Sequence, residues 1–383
     1  MQQAVYPFRI DIPQAQLDDL QYRLSRTRWP DAETCEGWDQ GTPLSYAKAL
    51  SAHWAKSYDW RRCEARLNGW QQFTTDIDGL SIHFIHRMSP NPDALPLLIT
   101  HGWPGSVIEF HKVIEPLADP AAHGGDTADA FHLVIPSLPG YGFSGKPTGT
   151  GTSVEKIAAL WGTLMQRLGY ERYVAQGGDW GSLVTLAMAT ARPAGLAGVH
   201  VNMPVAAPDA NNMDALTDAE RTALAALEHY QRWGSGYARQ QSTRPQSLAY
   251  GLADSPVGQM SWIVEKFQAW TDCERDGVRH PENALSRDEM LDNVMLYWLN
   301  NTAGSSARLY WESFHHTAFD PVELPVGCSL FPGEILRTSR RWAEKRFLNL
   351  IHWNELPRGG HFAAFEQPQL FVEELRRCFR ALR

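Results

Sequence analysis

The chain lacks a basic excess: 35 Lys and Arg stand against 43 Asp and Glu, for a formal net charge of −8. A nucleic-acid surface needs a clustered positive footprint, so that class of partner is excluded. No run approaches the roughly 18 uninterrupted apolar residues of a membrane span. Residues 1–9 likewise lack the apolar core of a signal peptide. Cysteine is sparse and odd in number: Cys35, Cys63, Cys273, Cys328 and Cys378 lie far apart. That usage excludes a disulfide framework and reads as a reduced, cytoplasmic protein. Internal repeats and low-complexity tracts are missing too, which excludes solenoids and disordered arrays.

What remains is a globular composition, 43% hydrophobic and 20% charged over 383 residues, enough for a sizeable core. Residues 1–90 are rich in tryptophan (Trp29, Trp38, Trp54, Trp60 and Trp70) and poor in regular alternation. They read as an irregular segment of short helical pieces wrapped over a larger body. From Leu80 the pattern changes. Apolar runs of strand length fall at 80–85, 95–100, 131–135, 173–176 and 196–202. Between two of them, Val154, Ile157, Ala158, Trp161, Leu164 and Leu168 recur at helical spacing, and Gly169 stops the run. Strands alternating with helices predict an α/β protein with a largely parallel sheet.

The alternation then lapses. Thr217 with Glu220 forms a capping box that opens a helix to about Arg232, and helical sequence continues at 262–270 and 291–311. Strand character returns at 326–331 and 348–353, before a terminal amphipathic helix with Leu375, Phe379 and Leu382. The division read from this is an N-terminal segment 1–90, a core 91–205, a helical cap 206–320 and a second core part 321–383.

Two glycine patterns need weighing. Residues 140–145, GYGFSG, satisfy the string G-x-G-x-x-G, but prolines 136 and 139 separate them from the strand, and Pro147, Gly149 and Gly151 delay the next helix. The same stretch nearly matches a phosphate loop, yet Pro147 supplies neither a hydroxyl nor a backbone donor. It reads as a turn, and no nucleotide, other cofactor or metal is expected. Residues 177–181, GGDWG, differ: they lie between a strand and the apolar helix 183–191. That is the setting of a nucleophile elbow with Asp179 in place of serine. An aspartate helix cap would explain Asp179 alone, so its partners decide.

Those partners come in the required order. His101-Gly102-Trp103-Pro104 follows the strand 95–100 and can offer the Trp103 N–H to an oxyanion hole, with the Trp180 N–H as second donor. Glu334 follows the strand 326–331, and His361 follows the strand 348–353. Aspartate restricts the chemistry. Its attack on a saturated carbon yields an ester that water can cleave at the aspartate's own carbonyl. Serine would leave a stable ether. The expected substrate is therefore a small molecule with an electrophilic saturated carbon, such as an epoxide or alkyl halide, together with water. Asp179 is the nucleophile, His361 the base that activates water, and Glu334 the group that orients it. Asp209, after the preceding strand, is the alternative acid.

These residues resemble the microsomal and juvenile-hormone epoxide hydrolases and their soluble bacterial relatives. The likeness runs through residues 7–13 and 29–31, HGWPGS at 101–106 and LPGYGFS at 138–144. It continues through GGDWGS at 177–182, residues 254–258, 265–267, 293–298 and 331–334, and RGGHFAAFE at 358–366. The resemblance implies an α/β-hydrolase core with a helical cap and an N-terminal meander, and a nucleophile, acid and histidine at Asp179, Glu334 and His361. It also implies two cap tyrosines that donate to the epoxide oxygen. One maps onto Tyr310, while the other position maps onto Trp262, a departure that would make the indole a substrate-binding group. The microsomal enzymes carry a membrane anchor, which is not expected here. A haloalkane dehalogenase, holding halide with the indoles of Trp180 and Trp262, is the alternative. Oligomeric state is open, with a homodimer as the default from the common symmetry of such proteins.

Overall fold

A computed structural model describes residues 4–314 and 320–383. Its centre is a nine-stranded sheet. In chain order the strands are β1 (Val5–Phe8), β2 (Gln72–Ile77), β3 (Leu80–Arg87), β4 (Leu95–Thr100), β5 (Phe131–Pro136), β6 (Tyr173–Gly177) and β7 (Leu196–Val201). A small separate hairpin, β8 (Glu274–Arg275) and β9 (Val278–Arg279), precedes β10 (Val326–Leu330) and β11 (Leu350–Glu355). Across the sheet the order is β1-β2-β3-β5-β4-β6-β7-β10-β11.

Strands β5, β4, β6, β7, β10 and β11 pair in parallel. Parallel strands are covered on both faces and so read as continuous apolar runs. Accordingly Leu97, Leu98, Ile99, Leu133, Val134, Ile135, Val174 and Val199 are fully buried. The helix Val154–Arg167 supplies one covering layer. Ser153 caps it by accepting the Lys156 N–H, and its buried face carries Ile157, Trp161 and Leu164. Gly169, at φ 80°, ends it in the left-handed region.

The expected fold class holds, with three corrections of detail. The N-terminal segment is no mere wrapper: β1 and β2 extend the sheet, joining it through β3, which pairs antiparallel with β5. The helical stretch expected at 291–311 is two helices, Arg287–Leu299 and Ala303–Ser313, because the chain turns at Asn301 with φ 48°. The last strand begins two residues later than expected, at Leu350.

Between β7 and β10 the described chain is helical apart from the small hairpin. The Thr217–Glu220 capping box forms, and its helix Asp218–His229 continues into a wider turn, Tyr230–Gly234. Residues 315–319, at the end of the cap as read from sequence, lie outside the described residues. The N-terminal helices Gln14–Ser25, Leu44–Lys56 and Trp60–Leu67 pack on this helical layer. Tyr58 Oη donates to Asp292 Oδ1 at 2.8 Å, and Thr42 Oγ1 to the Ser261 carbonyl at 3.1 Å.

Candidate active site

In an open α/β sheet, ligands meet the protein beyond the carboxyl ends of the strands. Four such ends converge here. Gly102-Trp103 follows β4, Asp179 follows β6, Glu334 follows β10 and His361 follows β11. Strands β4 and β6 are adjacent, with Thr100 opposite Gly177, so the Trp103 loop lies beside the elbow.

Asp179 sits at φ 51°, ψ −128° as the residue before the helix Trp180–Ala191. A non-glycine residue there is strained by about 1–3 kcal/mol, and the surroundings enforce it. A side chain on Gly177 would overlap the backbone of Gly181, and one on Gly181 would overlap the Thr100 carbonyl. The turn is tight because only glycine fits on either side of it. It points the carboxylate away from the sheet.

Trp103 N–H donates to Asp179 Oδ1 at 2.8 Å. Trp180 opens the following helix, so its N–H is among the donors left without a helical partner. On the other oxygen, His361 Nε2 lies 3.3 Å from Asp179 Oδ2, while Nδ1 lies 2.6 Å from Glu334 Oε1. Burial opposes a charged imidazole, but the neighbouring Glu334 and Asp179 carboxylates outweigh it and raise the His361 pKa well above its ordinary value. Glu366 fixes the loop: its carboxylate accepts the backbone N–H groups of Gly360, Phe362 and Asp272.

Asp209 is occupied elsewhere. It pairs with Lys345 and accepts the Asn211 N–H, so the acid at His361 is Glu334.

Above Asp179 opens a cleft of about 880 Å³, lined by Trp180, Met203, Tyr230, Tyr237, Tyr310 and Phe314 among others. The Tyr310 hydroxyl has no hydrogen-bond partner among the described residues. The Tyr237 ring stacks on Trp103 at 4.8 Å between centroids, and its hydroxyl is 2.9 Å from that of Tyr230. Burial is the main cause that pushes both the Tyr237 and Tyr310 phenols well up, with Asp179 adding to it. Both phenols keep their protons and line the cleft with Asp179.

Trp262 is the correction. Its indole N–H donates to Gln241 Oε1 at 3.1 Å, and it is not among the residues lining the cleft. The second phenol is Tyr237, on the helix Gly236–Thr243, which sequence reasoning missed. Five tyrosines fall in 206–320, and nothing in their immediate neighbours separates the two that face Asp179. Of the two indoles named for a halide site, Trp180 lines the cleft, while the Trp262 N–H is engaged by Gln241.

The glycine-rich turn 140–145 braces the cap. Tyr141 Oη donates to the Ser306 carbonyl at 3.1 Å and Ser305 Oγ to the Gly140 carbonyl at 2.6 Å. Both contacts fall on the helix that carries Tyr310.

Sheet order, elbow and acid–histidine pair define an α/β-hydrolase with aspartate at the nucleophile position. Comparison with known proteins narrows the class. Residues 5–110 match the family described as epoxide hydrolase N terminus, and residues 96–254 the alpha/beta hydrolase fold. A Stigmatella aurantiaca protein named "Putative epoxide hydrolase" is 55% identical, over 99% of this chain and 86% of its own. Epoxide hydrolase 1 of Sus scrofa is 35% identical, over 98% and 88%. The solved structure of Aspergillus niger epoxide hydrolase superposes with a TM-score of 0.89 at 31% identity, covering 99% of this chain and 97% of that one. The chain belongs to the epoxide hydrolase family, and it is a hydrolase. No helix among the described residues is long and apolar enough to cross a membrane.

Proposed function

We propose that this enzyme converts an epoxide to a vicinal diol through a covalent ester on Asp179. The observation that carries the reading is a carboxylate held at 2.8 Å by the Trp103 N–H and at 3.3 Å from a buried histidine, beneath two phenols. Asp179 Oδ2 attacks a ring carbon and the carbon–oxygen bond of the epoxide breaks. The departing oxygen takes a proton from Tyr310 or Tyr237. Preorganised donors lower the barrier where charge develops. In the ester, Asp179 Oδ1 is the carbonyl oxygen, and the Trp103 and Trp180 N–H groups face it.

Esterification also changes His361. The Asp179 charge that helped hold its proton is gone, so the imidazole becomes a better base when the second step needs one. His361 takes a proton from water, whose oxygen adds to Asp179 Cγ. The tetrahedral species collapses, the diol oxygen leaves with that proton, and the water's second hydrogen passes from the Asp179 carboxyl to the tyrosinate left by ring opening, which restores both carboxylate and phenol. Glu334 holds the imidazolium that forms. The apolar, aromatic lining of the cleft favours a bulky apolar or aromatic epoxide.

A single turnover in heavy-oxygen water tests the ester. Label is expected in the Asp179 carboxylate, read by peptide mass spectrometry. Label found only in the diol would mean direct hydration and end this reading.

A further inference from the structure

The cleft over Asp179 has a second end. Among the described residues that line it, Asp179 is the one carboxylate and Arg239 the one cation. Arg239 stands two residues beyond Tyr237 on the helix Gly236–Thr243. Thr243, the last residue of that helix, lines both the cleft and a further hollow of about 790 Å³. At a rise of about 1.5 Å per residue, Thr243 lies about 9 Å along the helix from Tyr237. A ligand reaching outward from the phenols along this helix passes Arg239 and enters the hollow.

The hollow is basic. Arg244 and Arg308 line it, and Arg308 comes from the helix Ala303–Ser313, two residues before Tyr310. Each helix that supplies a phenol thus supplies an arginine to the same opening. Lys146 joins them: burial, with the nearby Arg308 charge adding to it, lowers its pKa. None of the four cations forms an ion pair among the described residues. The one carboxylate lining the hollow, Glu312, accepts the Gly151 N–H at 3.0 Å. Arg244 donates to the Thr243 carbonyl at 2.8 Å, which leaves the Arg239 and Arg308 guanidiniums as the open donors. Like charges gathered without a counter-ion repel. With 43 Asp and Glu against 35 Lys and Arg in the chain, the counter-ion is not missing here for want of acids.

We propose that the missing counter-ion is the substrate's own: the enzyme takes epoxides that carry a carboxylate at the end of an apolar chain, with the epoxide beneath the phenols and the carboxylate at Arg239 and Arg308. The inference deepens the epoxide reading above and rests on it. Between the two ends the cleft is lined by Met203, Leu227 and Ile335 among others, a surface suited to a hydrocarbon chain. A guanidinium matches a carboxylate in a planar, two-bonded geometry, and two of them facing one opening select for that group over a neutral ester. A tail-less epoxide uses only the inner end of the cleft.

Paired substrates test it: the terminal epoxide of undecenoic acid, as the free carboxylate and as the methyl ester, with styrene oxide as the tail-less control. The native enzyme should favour the acid over the ester by about tenfold in kcat/KM, the worth of a hydrogen bond to a charged group. Added salt should erode that preference. Arg239→Gln combined with Arg308→Gln should raise KM for the acid by about tenfold and leave its kcat, as for a contact made equally before and during reaction. Turnover of the ester and of styrene oxide should stay native, which shows the variant to be folded. Arg239→Lys keeps the charge and should keep most of the preference. Equal native rates on acid and ester, or a folded double variant that loses both alike, overturns the subsite. So does a double variant that keeps the acid preference and loses only binding to phosphatidylserine vesicles, which would make the patch a lipid-docking surface. If styrene oxide leaves no ester on Asp179 of the native enzyme by intact-protein mass spectrometry, the mechanism beneath the proposal fails instead.

Discussion

At the scale of single residues, the proposed chemistry turns on two phenols that line one cleft with Asp179. A phenol can donate and then lose its proton to an alkoxide, which indole does not do. Tyr237 carries an additional influence: the Lys266 ammonium lies 4.6 Å from its ring centroid, a placement that favours negative charge developing on the ring. Loss of one donor at a comparable oxyanion site costs about 2.7–4 kcal/mol, roughly a hundredfold in rate. Tyr310→Phe and Tyr237→Phe should each slow alkylation of Asp179 by about that factor. Trp262→Phe, which removes a bond to Gln241 outside the cleft, should leave alkylation nearly unchanged. Pre-steady-state alkylation with one epoxide compares all three. Near-native alkylation in both tyrosine variants would remove the donor roles.

At the scale of elements, the elbow is the part most plainly legible in the chain. Glycines at 177, 178 and 181 around an aspartate, between an apolar run and an apolar helix, admit few other conformations. The acid and histidine could be placed because each follows a strand, and strand ends in this fold face one side. Tyr237 was not legible, since only the path of the cap brings it over Asp179, and the stacking on Trp103 that orients it joins residues far apart in sequence. Nor were β1 and β2: Val5–Phe8 is short and largely accessible, so it carries no apolar alternation to read. The elbow's strain yields a measurable reversal. In ordinary backbone, glycine is less stable than alanine by about 0.5–1 kcal/mol. At φ 51°, ψ −128° the side chain is the liability, so Asp179→Gly should melt above Asp179→Ala. Both variants lose the carboxylate, and their difference isolates the backbone. Thermal melts of the two decide it, and the ordinary order would mean the turn is relaxed.

At the scale of the whole molecule, the N-terminal segment acts as a tie between core and cap. Its strands belong to the sheet, while its helices bind the cap helix Arg287–Leu299. Asp292 is the knot. It is almost fully buried, accepts from Tyr58 Oη at 2.8 Å, and meets Arg62 at 3.5 Å and Arg66 at 3.3 Å. Burial raises its pKa despite these partners, so the charge is not a strong source of stability. The arginines remain substantially accessible and can return to water if the pair is broken. What Asp292→Ala leaves behind is the Tyr58 hydroxyl without its acceptor, a loss of about 1–3 kcal/mol. The expected result is a modest fall in melting temperature, with amide exchange rising together in Trp60–Leu67 and Arg287–Leu299. The nucleophile helix Trp180–Ala191, anchored in the sheet, should keep its protection. If exchange instead rises evenly across the sheet and the cap, the segment is simply part of one core and does not hold the cap as a separate unit.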